Sequence, residues 1–229
     1  MTTIPSSGNS LTSPFVVEIL RRSWLSKKTF ELELSRPPTF QFRPGQRIRL
    51  LHKGLERDYS LLSQPDSPRL SLCVRHVPAG LVSSILAAAE IGASFTFTGP
   101  HGYFTFQESR RPPVLVATGT GVAPFLSMTR SGVAGFTILH GVRTAEELHY
   151  RSNFCAAARL YVPCLSHASP GSILPLGAYR GRVTDYLGEH LPLEAYDFYL
   201  CGRQEMIRDV TLLVDERFPD SRVYTEIFY

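Results

Sequence analysis

A chain of 229 residues is long enough for two medium domains or one large one. Hydrophobic residues make up 43% and charged residues 19%, the balance of a globular protein that buries a core rather than of a disordered chain. The net charge of +4 comes without any basic run interleaved with aromatics, so nucleic acid is set aside as a partner and an acidic protein fits at least as well.

Residues 1–13 are rich in Ser and Thr and lack a basic segment followed by an apolar one, so they read as a flexible tail rather than a signal peptide. Alternation with period two follows. Phe30, Leu32 and Leu34 face one way and Glu31 and Glu33 the other, and Ile48 with Leu50, Leu70 with Leu72 and Val74, and Phe95 with Phe97 repeat the pattern. Turn clusters such as Arg43-Pro44-Gly45 separate the runs, and Leu81 to Ala89 reads as a helix. About six short strands of this kind predict a small antiparallel β-barrel over residues 14–107. Residues 108–113, polar and proline-rich, read as a linker.

From residue 114 to 229 apolar strands alternate with helical patterns. The strands are Val114–Ala117, Phe136–His140, Leu160–Leu165, Phe198–Cys201 and Val223–Thr225. Between the last two, Met206, Ile207, Val210, Leu213 and Val214 share one helical face. This alternation predicts a parallel α/β sheet whose ligands bind beyond the strand C-termini. No apolar run reaches the roughly 18 residues of a membrane span. The four cysteines form no Cys-x-x-Cys pair, and the histidines have no metal-site spacing, so the reading is a reduced, cytoplasmic protein without a metal or iron–sulfur cluster of its own.

Several short motifs carry chemistry. In Arg57-Asp58-Tyr59-Ser60, Arg57 and Tyr59 point to one side of a strand and Ser60 turns the other way. Alone, these residues more often describe an edge strand with a solvated Arg and a half-buried Tyr. The stretch Val74-Arg75-His76-Val77-Pro78-Ala79-Gly80-Leu81-Val82-Ser83 runs from a strand through a glycine turn into a helix, whose free N–H groups and positive dipole suit a phosphate. An ordinary strand–turn–helix capped by Ser83 or Ser84 has the same pattern. Gly119-Thr120-Gly121-Val122-Ala123-Pro124 follows a strand and opens a helix, so its glycines admit a pyrophosphate; Pro124 replaces the third glycine of the Rossmann fingerprint. Cys201-Gly202 closes a strand, and the chain ends Glu226-Ile227-Phe228-Tyr229.

In this order, together with Gly99-Pro100-His101-Gly102, these motifs resemble those of the ferredoxin–NADP reductase family. The resemblance runs from about residue 14 to the end. It implies an FAD-dependent oxidoreductase that moves a hydride between NAD(P)H and flavin, then single electrons to or from a ferredoxin- or flavodoxin-type carrier. By the same resemblance, Arg57 and the Leu81, Val82 and Ser83 amides bind the FAD pyrophosphate, with Val74, His76, Val77 and Gly80 around them. Tyr59 and Ser60 contact the isoalloxazine, Phe228 covers its other face, and Tyr229 reaches the adenine side. Gly119, Thr120, Gly121 and Pro124 take the nicotinamide nucleotide, Cys201 and Gly202 lie beside its ring, and Ser60, Cys201 and Glu226 attend the transfer. Arg143 and Arg182 match arginines that grip the 2′-phosphate of NADPH; His167 stands where a third arginine is expected and leaves NADH open. The alternatives are the reductase component of an oxygenase, a free-flavin reductase, or a non-catalytic flavin-binding subunit.

Overall fold

The computed structural model describes residues 14–169 and 171–228; the expected tail at 1–13 and Tyr229 lie outside the described residues. Six strands form the first sheet: β1 (Phe15–Ser26), β2 (Thr29–Ser35), β3 (Arg47–His52), β4 (Leu55–Ser60), β5 (Arg69–Arg75) and β6 (Ser94–His101). They pair antiparallel in the order β4-β3-β6-β1-β2-β5, with helix α1 (Leu81–Ala88) between β5 and β6. The period-two residues do what alternation requires. Phe30, Leu32, Leu50, Leu72, Val74 and Phe97 are buried in one core, and Val82 and Leu86 of α1 join it.

After an irregular stretch at 102–112 the sheet type changes. β7 (Pro113–Thr118), α2 (Ala123–Arg130), β8 (Thr137–Val142), α3 (Arg151–Ala157), β9 (Leu160–Leu165), β10 (Tyr179–Arg180), α4 (Val183–His190), β11 (Asp197–Arg203), α5 (Gln204–Arg217) and β12 (Arg222–Phe228) follow. Their strands are all parallel, in the order β10-β9-β8-β7-β11-β12. Strand order therefore reverses between β7 and β11, and a ligand crevice belongs beyond the C-terminal ends at such a switch point. The antiparallel-then-parallel architecture agrees with the sequence-based expectation. No helix among the described residues is long and apolar enough to cross a membrane.

The two sheets share packing. Leu62, Cys73 and Phe104 from the first half bury against Ala117, Val122, Leu126, Tyr199 and Cys201 of the second. Polar bonds cross the same seam: Ser127 Oγ donates to the Ser63 carbonyl at 2.6 Å, and Tyr150 Oη to Glu31 Oε2 at 2.9 Å. These contacts fix where one half faces the other, and the site lies along that line.

Deep in the second half, His140 is fully buried, with Tyr161 Oη 3.0 Å from its Nδ1 and no partner at Nε2 among the described residues. Burial, with His149 adding to it, pushes His140 down from 6.5 to about 3. Between those values the unfolded chain holds a proton that the folded chain refuses, so stability falls as pH falls below 6.5. From pH 7 to pH 5 the loss from His140 is on the order of 2 kcal/mol. Urea unfolding of wild type and His140→Leu across this range checks it. Wild type should lose more stability toward acid than His140→Leu does; parallel curves would show that His140 does not titrate on unfolding.

Candidate active site

A continuous cleft of about 1550 Å³ runs along the seam between the halves. Small-molecule sites usually hold roughly 300–1,000 Å³, so this one has room for more than one ligand. Its barrel wall is built from β4, from the end of β5 and from the start of α1. Arg57 is exposed, Tyr59 half-buried and Ser60 buried, so burial deepens toward the end of β4. Burial drives the Tyr59 phenol up to about 12 against the opposing pull of Arg57. Ser60 Oγ is buried in the cleft wall without a hydrogen-bond partner among the described residues. Gly80 precedes α1, so the amides of Leu81, Val82 and Ser83 begin the helix without carbonyls one turn back. The Ser83 hydroxyl accepts from the Val77 N–H at 3.2 Å and shapes the turn rather than capping the helix.

The opposite wall is the C-terminal edge of the parallel sheet. Thr118 ends β7 and Gly119 follows it, Gly141 lies at the end of β8 with Arg143 just past it, Ser166 and His167 follow β9, and Gly202 and Arg203 close β11. The glycine turn is a short 3-10 helix, Gly119–Val122, that leads into α2 with Pro124 in its first turn. Two glycines are forced by close approach. A Cβ on Gly121 would lie 2.2 Å from the Cys201 carbonyl oxygen, and one on Gly202, at φ +138°, 2.2 Å from Thr118 Oγ1. They bring the β7 and β11 edges together, leaving backbone at the surface a ligand would touch.

Of the residues expected at the site, Arg57, Tyr59, Ser60, Val77, Gly80, Leu81, Val82, Ser83, Gly119, Thr120, Arg143, His167, Arg182, Gly202, Glu226 and Phe228 line this cleft. Others stand behind it. Val74 points into the barrel core, and His76 turns toward Ser84 and Trp24. Gly121, Pro124 and Cys201 are buried beneath the lining. Burial, with Glu226 beside it across the strand pairing, pushes the Cys201 thiol far up, so it remains a neutral thiol.

Sequence reasoning missed Arg47, Arg75, Arg203 and Glu147. On β5 the residues facing the cleft are Cys73 and Arg75, in step with Val77, not Val74 and His76. Alternation starting from Cys73 is the signal that identifies Arg75. Arg75 Nη1 lies 3.9 Å from where a Cβ on Gly119 would sit, so a barrel cation reaches the glycine turn of the sheet. Glu147 Oε2 accepts from the Arg143 N–H at 3.0 Å and puts a negative charge at the Arg143 end. Among the described residues no carboxylate pairs with Arg57, Arg75, Arg143, Arg182 or Arg203. Unpaired guanidiniums, free helix-start amides and an unsatisfied buried hydroxyl in one cleft fit anionic ligands that carry phosphate and a hydrogen-bonding ring.

Comparison with known proteins agrees with this geometry. Residues 18–106 match the model of an oxidoreductase FAD-binding domain and residues 115–211 that of an oxidoreductase NAD-binding domain. The ferredoxin–NADP reductase B of Sorangium cellulosum is 39% identical over 224 residues, covering 85% of this chain and 88% of that protein. The toluate 1,2-dioxygenase electron transfer component of Pseudomonas putida is 34% identical over 203 residues, covering 82% of this chain and 59% of that protein. The chain spans only 57% to 64% of the dioxygenase and monooxygenase reductase components that it matches. Among solved structures, a ferredoxin NADP+ reductase from Neisseria gonorrhoeae with bound FAD and NADP superposes with a TM-score of 0.81 at 24% identity, over 94% of this chain and 99% of that one. The antiparallel half, the parallel half and the cleft between them match the two-domain arrangement of the two matched domain models. The chain belongs to the ferredoxin–NADP reductase family.

Proposed function

We propose that this protein is an FAD-dependent oxidoreductase that passes a hydride between NADPH and the flavin, and single electrons to or from an acidic ferredoxin- or flavodoxin-type carrier. The observation that carries this is the one continuous cleft, which joins the barrel's cations and helix start to the sheet's glycine edge. Bound FAD would supply the chemistry, because it links two-electron and one-electron steps without a metal.

The chain's own residues bind, orient and shield. Arg57 and the Leu81–Ser83 amides would hold the FAD pyrophosphate, Tyr59 would pack on its ring, and the unpartnered Ser60 hydroxyl would be available to it. Gly119 and Thr120, supported from below by Gly121 and Pro124, seat the coenzyme pyrophosphate with Arg75 as a counter-charge. Gly202 leaves space for the nicotinamide, and Cys201 backs that space with a neutral, buried thiol. Arg143 and Arg182 hold the 2′-phosphate, with His167 beside them. Glu226 would hold or release a proton at the cleft floor, and Phe228 would shield the flavin ring. Residues 14–107 form the flavin half, 108–113 the linker and 114–229 the nucleotide half. Free thiols and a +4 surface fit a cytoplasmic partner of an acidic carrier.

A second reading keeps the chemistry and changes the acceptor to an oxygenase component. The likeness to the toluate dioxygenase electron transfer component favours it, as does Glu147, whose charge opposes a 2′-phosphate and suits NADH. Flavin identity tests the core of both readings. Heat release from the purified protein should yield FAD, and Arg57→Ala should weaken flavin binding about tenfold, the scale of one charge-assisted contact discounted for exposure. FMN alone in the supernatant would defeat the pyrophosphate assignment.

A further inference from the structure

One ion pair at the cleft floor joins the two halves of the molecule, and the roles above leave half of it unused. Arg47 on β3 donates from Nη1 to Glu226 Oε1 on β12 at 2.6 Å, and from Nε to Asp58 Oδ2 on β4 at 2.9 Å. The Arg47 side chain is 26% exposed and that of Glu226 only 10%, so water screens the pair weakly. The surroundings are built for it. Gly102 sits at φ +89°, and a Cβ there would lie 2.7 Å from Arg47 Nη1 and 3.8 Å from Glu226 Oε2. Gln46 Nε2 donates to the Gly102 carbonyl at 3.0 Å and pins that turn. A second cavity of about 650 Å³, lined by Gln46, His101, Tyr103 and Tyr224, reaches the same pair from the other side. The pair is thus a partition between this cavity and the cleft.

We propose that Arg47 is the positioning residue for Glu226: it fixes the carboxylate and the last strand at the cleft floor, and Gly102 reserves the space its guanidinium needs. The assignment deepens the flavin reading and rests on it. The groups that face Glu226 are few. Arg47 bonds to it directly, Asp58 adds a negative charge from β4, and Cys201 on β11 is a buried thiol across the pairing. Arg49 acts only through Asp58, and His101 on β6 is engaged with Thr98 Oγ1. Burial pushes the Glu226 carboxyl up and Asp58 adds to the rise, while Arg47 alone pulls it back. Without Arg47 the carboxylate would take up a proton at higher pH and lose its fixed orientation.

The test is a carboxyl titration of the flavin-loaded protein, labelled with ¹³C-glutamate, with Glu226→Gln to assign the resonance. Arg47→Gln should raise the Glu226 midpoint by about one pH unit or more, the scale of an opposite charge within hydrogen-bond reach. Arg47→Lys should restore most of the shift. Gly102→Ala keeps both charges but crowds the guanidinium, so it should move the midpoint in the same direction as Arg47→Gln. The acid limb of the pH profile for flavin reduction by coenzyme should move with it. A Glu226 midpoint that stays put in Arg47→Gln, or in Arg47→Lys and Gly102→Ala if the first variant does not fold, overturns the assignment. If neither NADPH nor NADH reduces the flavin, the functional reading fails while the titration still judges Arg47.

Discussion

Replacing Arg143 and Arg182 together by Ala is expected to lower kcat/KM for NADPH about ten- to a hundredfold and to leave NADH nearly unchanged. Both side chains are exposed at the sheet edge, Arg143 just past β8 and Arg182 just before α4. The backbone holds their positions. Glu147 accepts from the Arg143 N–H, and Asp185 Oδ2 accepts from the Arg182 N–H at 2.8 Å. Each arginine offers a fork suited to phosphate, and solvent reduces the value of each contact. The loss should appear in KM rather than kcat, because the 2′-phosphate is remote from the reacting carbon. Steady-state kinetics with both coenzymes checks this. An unmodified enzyme that favours NADH would refute the assignment and turn attention to Glu147 and His167.

Removing the Phe228 ring should have an effect of similar size in the opposite direction. Phe228 is half-buried, ends β12 opposite Arg203, and packs on the cluster that contains Ala117 and Cys201 while lining the cleft. On the proposed reading the nicotinamide takes that place, with reacting atoms roughly 3–3.5 Å apart. Coenzyme would then bind productively only when the ring has moved aside, its apparent affinity scaled by the fraction of molecules already open. Exposing a Phe costs roughly 1.5–3 kcal/mol, so Phe228→Ala should tighten apparent coenzyme binding about ten- to a hundredfold. Discrimination between NADPH and NADH should narrow, and turnover should slow as product leaves late. Stopped-flow titration of flavin reduction separates affinity from rate. Unchanged affinity would make Phe228 a packing residue.

Where burial follows a simple period, the fold was legible. Phe30, Leu32 and Leu34 alternate and are buried, and the face read from Met206 to Val214 is the face α5 buries. β1 escaped notice because Leu20-Arg21-Arg22 breaks its alternation. Its register shifts between Ile19 and Arg21 and between Trp24 and Ser26 take up the irregularity. The two-residue β10 is too short to have a period. At the site, the glycine turns and the Arg57–Ser60 strand were legible because their residue types constrain backbone or charge locally. Arg75, Arg47 and Glu147 were not, since a single charge in a strand or turn resembles a solvated one. Only the fold brings Arg47 to Glu226, 179 positions away. Val74 and His76 do not line the cleft; the pleat of β5 turns Cys73 and Arg75 toward it instead.

The central claim is that one cleft holds flavin and nicotinamide coenzyme together, and anaerobic mixing tests it most directly. The purified yellow protein, mixed with excess NADPH in a stopped-flow cell, should lose its flavin absorbance in a single rapid phase. Adding an oxidised ferredoxin or flavodoxin should then restore the colour. A flavin that stays oxidised with both NADPH and NADH, in protein shown to bind them, would contradict the account.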